Sequence, residues 1–208
     1  RIAGDAGDVI EGGVCGNDLV EGGDGNDLIG GDVLLASFWN LADTRAYGHD
    51  TLYGGNGSDV IHGDGYGVGG GDDRLGRDTL FGGAGNDRLV GDTTATGIGA
   101  ADSLDGGSGD DQMDGGGGNH RMHGGAGNDR MYGGDGNDGV LGDAGNDSLT
   151  GGNGNDTIVG GSGTDRMRGD AGGDRFVWPS VVYVPALALA VADVWRRRFV
   201  LQPLEGRT

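Results

Sequence analysis

The sequence predicts an all-β solenoid in which short parallel strands stack into two thin sheets, and three observations predict it. Residues 106–177 form eight consecutive nonapeptides with no residue gained or lost: GGSGDDQMD, GGGGNHRMH, GGAGNDRMY, GGDGNDGVL, GDAGNDSLT, GGNGNDTIV, GGSGTDRMR and GDAGGDRFV. A short fixed period of this kind sets the architecture before any local assignment is made. Each unit carries one apolar residue, at its eighth place, so each unit has one side chain to bury. Glycine is heavily used, with 52 of the 53 glycines before residue 178, and 30 of the 33 acidic residues are Asp.

Each part of the repeat has a physical reading. Glycines at places 1, 2 and 4 permit positive φ and close backbone approach, so places 1–6 are expected to turn. The last three residues, x-apolar-x, are expected to form a short strand with the middle side chain pointing inward. Two nonapeptides then make one coil of about eighteen residues, with a turn at each edge. Stacking sets place 6 of one repeat beside place 6 of the repeat after next. Turn carbonyls and the place-6 carboxylate are hard oxygen donors, which suit Ca²⁺ with its six to eight oxygen ligands. One turn cannot fill that shell, whereas two stacked turns can.

The remaining repeats are less regular. Gly4–Glu11 is one residue short, Gly12–Glu21 one residue long, and Gly22–Gly30 regular, with place-6 residues Asp8, Asp18 and Asp27. Regular repeats at Gly54–His62 and Gly82–Val90 then alternate with expanded ones at Gly31–Tyr53, Gly63–Phe81 and Gly91–Asp105. The expanded repeats span 23, 19 and 15 residues, exceeding nine by 14, 10 and 6. Each opens with Gly-Asp and closes with Asp-x-apolar-x, so the extra residues, about 33–47, 65–75 and 93–99, are expected inside turns. Because every second repeat shares a side, all three insertions are expected at one edge.

Sixteen repeats place an apolar residue inward every time: Ile10, Val20, Ile29, Leu52, Ile61, Leu80, Leu89, Leu104, Met113, Met122, Met131, Val140, Leu149, Ile158, Met167 and Phe176. Place 6 is Asp in fifteen of the sixteen, the exception being His120. A disordered Gly/Asp tract would not hold both registers through three insertions of different length.

Composition narrows the function further. The net charge of −19, without a basic stripe, argues against nucleic acid as a partner. Cys15 is the only cysteine, which rules out an intrachain disulfide. The chain starts at Arg1 within a repeat-like stretch, as expected of a fragment or trimmed domain. Residues 178–208 hold all three prolines and one glycine, and are net positive. Their apolar run Val181–Val194 is too short to span a membrane and contains Pro185 and Asp193. This segment reads as a short C-terminal cap on the open end of the solenoid, with part of a secretion signal as the alternative.

Residues 106–177 closely resemble the haemolysin-type calcium-binding repeats of RTX (repeats-in-toxin) proteins, and with the looser copies the likeness runs from Gly4 to Val177. The resemblance implies a parallel β-roll over residues 1–177, with several Ca²⁺ ions between stacked turns. It further implies a secreted, extracellular protein exported by a type I secretion apparatus, unfolded in the low-calcium cytoplasm and folding on exit. Carried over residue by residue, one edge has the ligands Asp111, Asp129, Asp147 and Asp165, and the other Asp138, Asp156 and Asp174. Asp27, Asp59 and Asp87 hold the same place in looser repeats. The glycines at places 2 and 4 join the set: Gly107, Gly109, Gly125, Gly127, Gly134, Gly136, Gly145, Gly152, Gly154, Gly161 and Gly163. His120 departs from the consensus, and imidazole is a poor calcium ligand. The edge bearing His120 and the insertions is therefore expected to be metal-poor until about Asp138.

No catalytic motif is present. There is no H-E-x-x-H or G-x-S-x-G, and the glycine-rich stretches lack the following helix that nucleotide binding needs. His120 and His123 lie three apart while His49 and His62 are scattered; a zinc site needs helical or converging spacing and nothing here is helical, so the histidines are not expected to bind zinc. The leading expectation is a non-enzymatic calcium-binding module. The alternatives are the C-terminal part of a secreted enzyme (a protease, lipase or polysaccharide-modifying enzyme), or an adhesin or matrix protein. An adhesin would bind a glycan or surface partner through the insertion-bearing edge. Phe38, Trp39, Tyr47 and Tyr66 in those insertions read first as cover for the side of the roll.

Overall fold

The structure, a computed structural model, describes residues 2–3, 9–11, 17–32, 48–64, 76–92 and 99–178. Every regular element among them is a β-strand. One sheet stacks nine strands in the order β1 (Ile2–Ala3), β3 (Leu19–Asp24), β5 (Thr51–Asn56), β7 (Thr79–Ala84), β9 (Ser103–Ser108), β11 (Arg121–Ala126), β13 (Gly139–Ala144), β15 (Thr157–Val159) and β17 (Arg175–Val177). The other stacks eight: β2 (Val9–Glu11), β4 (Leu28–Asp32), β6 (Val60–Asp64), β8 (Arg88–Val90), β10 (Gln112–Asp114), β12 (Arg130–Asp135), β14 (Ser148–Asn153) and β16 (Arg166–Ala171). All pairings are parallel, and the chain alternates between the sheets, so each pair of strands makes one coil. This is the expected parallel β-roll.

Many strands are longer than the three residues expected. In β11 the strand runs through places 7, 8 and 9 and on through places 1, 2 and 3 of the next repeat, with Gly125 opposite both Gly107 and Asp143. The Gly-Gly step is therefore not a free turn. Its amides and carbonyls find partners in the coils above and below, and the true turn shrinks to places 4–6.

Register survives the irregular repeats. The sequence separation between stacked place-6 residues is 32, then 28, then 24, and settles to 18. Subtracting 18 leaves 14, 10 and 6, the excess lengths read from the three expanded repeats. Despite these steps Val20 faces Leu52, Leu52 faces Leu80, and Leu80 faces Leu104. A slip of one residue would turn the apolar side chain out of the roll, so burial pins the register. The stretches 33–47, 65–75 and 93–98 lie outside the described residues, and the aromatic residues assigned to them are not placed. Their flanks are described: Asp32 and Gly48, Asp64 and Gly76, and Asp92 and Gly99 all belong to connections from the eight-stranded sheet to the nine-stranded one.

The core is a single file between the sheets. Val20, Ile29, Leu52, Ile61, Leu80, Leu89, Leu104, Met113, Met122, Met131, Val140, Leu149 and Ile158 form one buried cluster, with Met167 packed partly against it. Phe176, expected inward, is 41% exposed, because no further coil among the described residues stacks on β17. The backbone of Ile10 pairs with Ile29 in register. The expected cap, residues 179–208, lies outside the described residues.

One buried apolar side chain per nine residues stabilises by about 1.5–3 kcal/mol. Ordering a single backbone residue costs about 1–2 kcal/mol. The core alone is a thin source of stability, which directs attention to the turns.

Candidate metal-binding turns

The place-6 aspartates stack into two ladders, one on each edge. On the edge leading from the nine-stranded to the eight-stranded sheet, each aspartate N–H donates to Oδ1 of the aspartate one coil further on. Asp87 donates to Asp111, Asp111 to Asp129, Asp129 to Asp147 and Asp147 to Asp165, at 2.8–3.0 Å. Asp27 and Asp59 begin the same ladder. On the opposite edge Asp18, Asp50 and Asp78 lead to Asp102, and Asp138 and Asp156 lead to Asp174. Every aspartate named from the sequence as a ligand sits in one of these ladders.

Oδ1 is thereby held by a backbone donor, and Oδ2 turns into the roll. The Oδ2 atoms of Asp59, Asp87, Asp111, Asp129 and Asp147 on one edge, and of Asp102, Asp138 and Asp156 on the other, are buried without a hydrogen-bond partner. The first glycine of each repeat shows what lies beside them. A Cβ added at Gly82 would stand 2.5 Å from both Asp87 Oδ2 and the carbonyl oxygen of Gly106 in the next coil. At Gly133 it would stand 2.5 Å from Asp138 Oδ2 and the Gly151 carbonyl. Each of these turns thus sets an unpartnered carboxylate oxygen beside a carbonyl oxygen of the next coil. A buried carboxylate oxygen without a donor is costly, and a hard cation satisfies it while drawing on the second lone pair of the carbonyl.

Electrostatics carry the same signature. Burial pushes the carboxyls of Asp111 up to about 7, and those of Asp87, Asp138 and Asp147 up to about 6. Asp59, Asp129 and Asp156 move the same way for the same reason.

The glycines named from the sequence all have positive φ, from +99° at Gly161 to +151° at Gly145. Their role in the geometry is mainly conformational. At place 2, Gly116 and Asp143 use their carbonyls to accept ladder bonds from Asp135 and Ser162. The carbonyl beside the unpartnered carboxylate oxygen belongs instead to place 1, as with Gly106 and Gly151, a position absent from the sequence-based set.

Place 5 was also missed. Asn26, Asn86, Asn128 and Asn146 on one edge, and Asn17, Asn119, Asn137 and Asn155 on the other, accept a backbone N–H from the following coil through Oδ1. This outer ladder runs opposite to the aspartate ladder, so each turn is tied in both directions along the stack. The recurring Asn-Asp pair was the available signal.

His120 keeps the ladder intact. Its Nδ1 accepts the Asp102 N–H at 3.2 Å, and its own N–H donates to Asp138 Oδ1 at 2.8 Å. Burial depresses the imidazole to about 4, so it is neutral at pH 7. The edge expected to be metal-poor also carries acids that the sequence reading left out. Asp50, Asp64 and Asp78 converge there, as do Asp92, Asp102 and His120, each trio with ligand atoms within 4.8 Å of one another. Asp64 and Asp92 are the second residues of the Gly-Asp steps that open two expanded repeats.

Two ladders of stacked aspartates that turn buried carboxylate oxygens inward, on a roll of parallel coils, define a calcium-binding β-roll module. The family model for the RTX calcium-binding nonapeptide repeat matches residues 46–65, 69–95, 91–119, 121–149 and 141–176, and the chain belongs to that family. No curated protein matches the chain. No helix among the described residues is long and apolar enough to cross a membrane.

Proposed function

We propose that this chain is a calcium-triggered folding module of a secreted protein. The supporting observation is the column of buried Oδ2 atoms, those of Asp87, Asp111, Asp129, Asp138 and Asp147 among them, set beside glycine carbonyls of the next coil. Without cations these oxygens face each other across a chain of net charge −19, and self-repulsion opposes coiling. Ca²⁺ held between Asp111 and Asp129, Asp129 and Asp147, or Asp147 and Asp165 neutralises that charge and ties one coil to the next. Asp138 with Asp156 and Asp156 with Asp174 do the same on the other edge. Binding free energy then becomes folding free energy. A low-calcium interior keeps such a chain extended for export, here assigned to a type I apparatus, and a millimolar-calcium exterior folds it.

Circular dichroism during calcium titration, with magnesium as the control, tests this reading. The β signal is expected to rise cooperatively with calcium and to stay flat with magnesium, which demands a smaller octahedral shell and dehydrates reluctantly. A chelated protein that keeps its full β signal overturns it.

A second reading, attachment to a glycan or surface through the insertion-bearing edge, is favoured by three long connections entering and leaving on that one side. A glycan array on the chain with and without residues 33–47 tests it, and identical binding profiles reject it.

A further inference from the structure

The trio Asp92, Asp102 and His120 differs from every other turn described. Asp92, after β8, and Asp102, before β9, flank the insertion of the third expanded repeat, while His120 comes from a later repeat and precedes β11. All three are buried, and the side chains of His120 and Asp102 have no accessible surface.

Each is fixed from one side by a backbone N–H. Ala100 donates to Asp92 Oδ2 at 2.9 Å, Asp78 to Asp102 Oδ1 at 2.9 Å, and Asp102 to His120 Nδ1 at 3.2 Å. Asp92 Oδ1 and Asp102 Oδ2 are then buried with no hydrogen-bond partner, as is His120 Nε2, the ring nitrogen that carries the proton when Nδ1 accepts. Two buried carboxylates oriented by backbone donors, each with a spare oxygen converging on an imidazole, make a preorganised metal site.

One contact is specific to this turn. Accepting the Asp102 N–H requires a lone pair on His120 Nδ1. That nitrogen also lies 3.4 Å from Asp102 Oδ2, so two acceptors face each other in a dry pocket. Placing the proton on Nδ1 instead satisfies Oδ2 and strands the backbone N–H. No tautomer serves both; a cation held by Nδ1 and the carboxylates removes the contact between acceptors, at the cost of the long 3.2 Å hydrogen bond from the Asp102 N–H.

The donor set decides which cation. Two carboxylates with an imidazole suit Zn²⁺ and its neighbours, with Zn–N and Zn–O distances of about 2.0–2.2 Å. Calcium gains little from the imidazole. The sequence reading set zinc aside because its histidines neither share a helix face nor converge. Stacking of coils supplies the convergence, through Asp92 and Asp102 rather than through a second histidine. We propose that Asp92, Asp102 and His120 form a transition-metal site of the Zn²⁺ class, set into the calcium ladder at the third expanded repeat. The metal ties Asp92 and Asp102, the two ends of that insertion, to the first coil of the regular block. This proposal rests on the roll fold, while its metal selectivity is independent of the calcium reading.

The test uses the whole chain in millimolar calcium, with Co²⁺ as the visible probe and Zn²⁺ as its competitor. The wild type is expected to take up Co²⁺ with ligand-field bands that Zn²⁺ abolishes. His120→Asp restores the repeat's usual residue and is expected to fold. It should lose those bands and bind Co²⁺ at least tenfold more weakly, since even outer-shell changes lower affinity by about 10–100-fold. Asp92→Asn should behave likewise, and His123→Ala should match the wild type. Calcium-induced circular dichroism, recorded on each variant, reports the roll separately, so loss of folding and loss of this site are told apart. No Co²⁺ uptake by the calcium-loaded wild type overturns the proposal. So does undiminished Co²⁺ binding by His120→Asp, or abolition of binding by His123→Ala.

Discussion

Compared side by side, the two edges of the roll carry the same pair of ladders but different turns. The edge through Asp87, Asp111, Asp129 and Asp147 repeats one unit, with aspartate at every place 6 and no expanded repeat. The edge through Asp78, Asp102, His120 and Asp138 accepts three insertions, two extra buried aspartates and an imidazole. Both keep the backbone-to-side-chain hydrogen bond at every step, including the steps on either side of His120. The stack therefore requires an acceptor at place 6, and the kind of acceptor is left to set metal chemistry.

Several measurements break or sharpen this comparison. The largest effect expected is from removing divalent ions altogether, which should unfold both edges together, because each coil belongs to both. Circular dichroism with chelator checks this, and an edge-selective loss read by hydrogen exchange would break the equivalence. Next, Asp129→Ala removes the acceptor for the Asp111 N–H and a carboxylate shared by two proposed calcium sites. It should lower stability by about 1–3 kcal/mol before metal is counted and raise the calcium midpoint. His120→Ala strands the Asp102 N–H to a similar extent but should leave the calcium midpoint nearly unchanged. Parallel calcium titrations separate the two. Gly82→Ala drives a methyl group between Asp87 Oδ2 and the Gly106 carbonyl, and should destabilise by about 1–3 kcal/mol and weaken calcium binding at that turn.

When metal is absent, acid should act on His120 and on the stacked aspartates of both edges in opposite senses. Asp111 near 7 and Asp87 and Asp147 near 6 bind more protons folded than unfolded, so lowering the pH from 7 toward 5 stabilises the metal-free roll. His120, held near 4, binds fewer protons folded than unfolded, and its contribution is lost as pH falls through the ordinary imidazole range. His120→Asp should therefore gain more on acidification than the wild type, which melting curves at pH 7 and pH 5 will show. The smallest effect is expected at the outer ladders. Asn128→Ala and Asn137→Ala each remove an exposed acceptor, should cost about 0.5–1.5 kcal/mol, and should do so equally on the two edges.

Much of this was legible beforehand because the repeat is local. The nine-residue period, the inward apolar place and the excess lengths 14, 10 and 6 translate directly into coils, a single-file core and stepped register. Less legible was the reach of each strand, since Gly-Gly reads as a turn until neighbouring coils supply its hydrogen-bond partners. The place-1 carbonyls and the role of Asp92 were hidden for a related reason, and the asparagine ladders showed only as a recurring Asn-Asp pair. They depend on how coils stack, and the separation between stacked place-6 residues itself varies from 32 to 18 along the chain.

By itself, then, the order of residues determined the period, the fold class, the core and the aspartates that line the turns, because a repeat writes its own geometry through burial and glycine conformation. Only the stacked structure decided which oxygen of each carboxylate is spoken for, which carbonyl stands beside the other, and that His120 meets Asp92 and Asp102. Those are contacts between coils, and they exist only once parallel pairing has brought separate repeats into register.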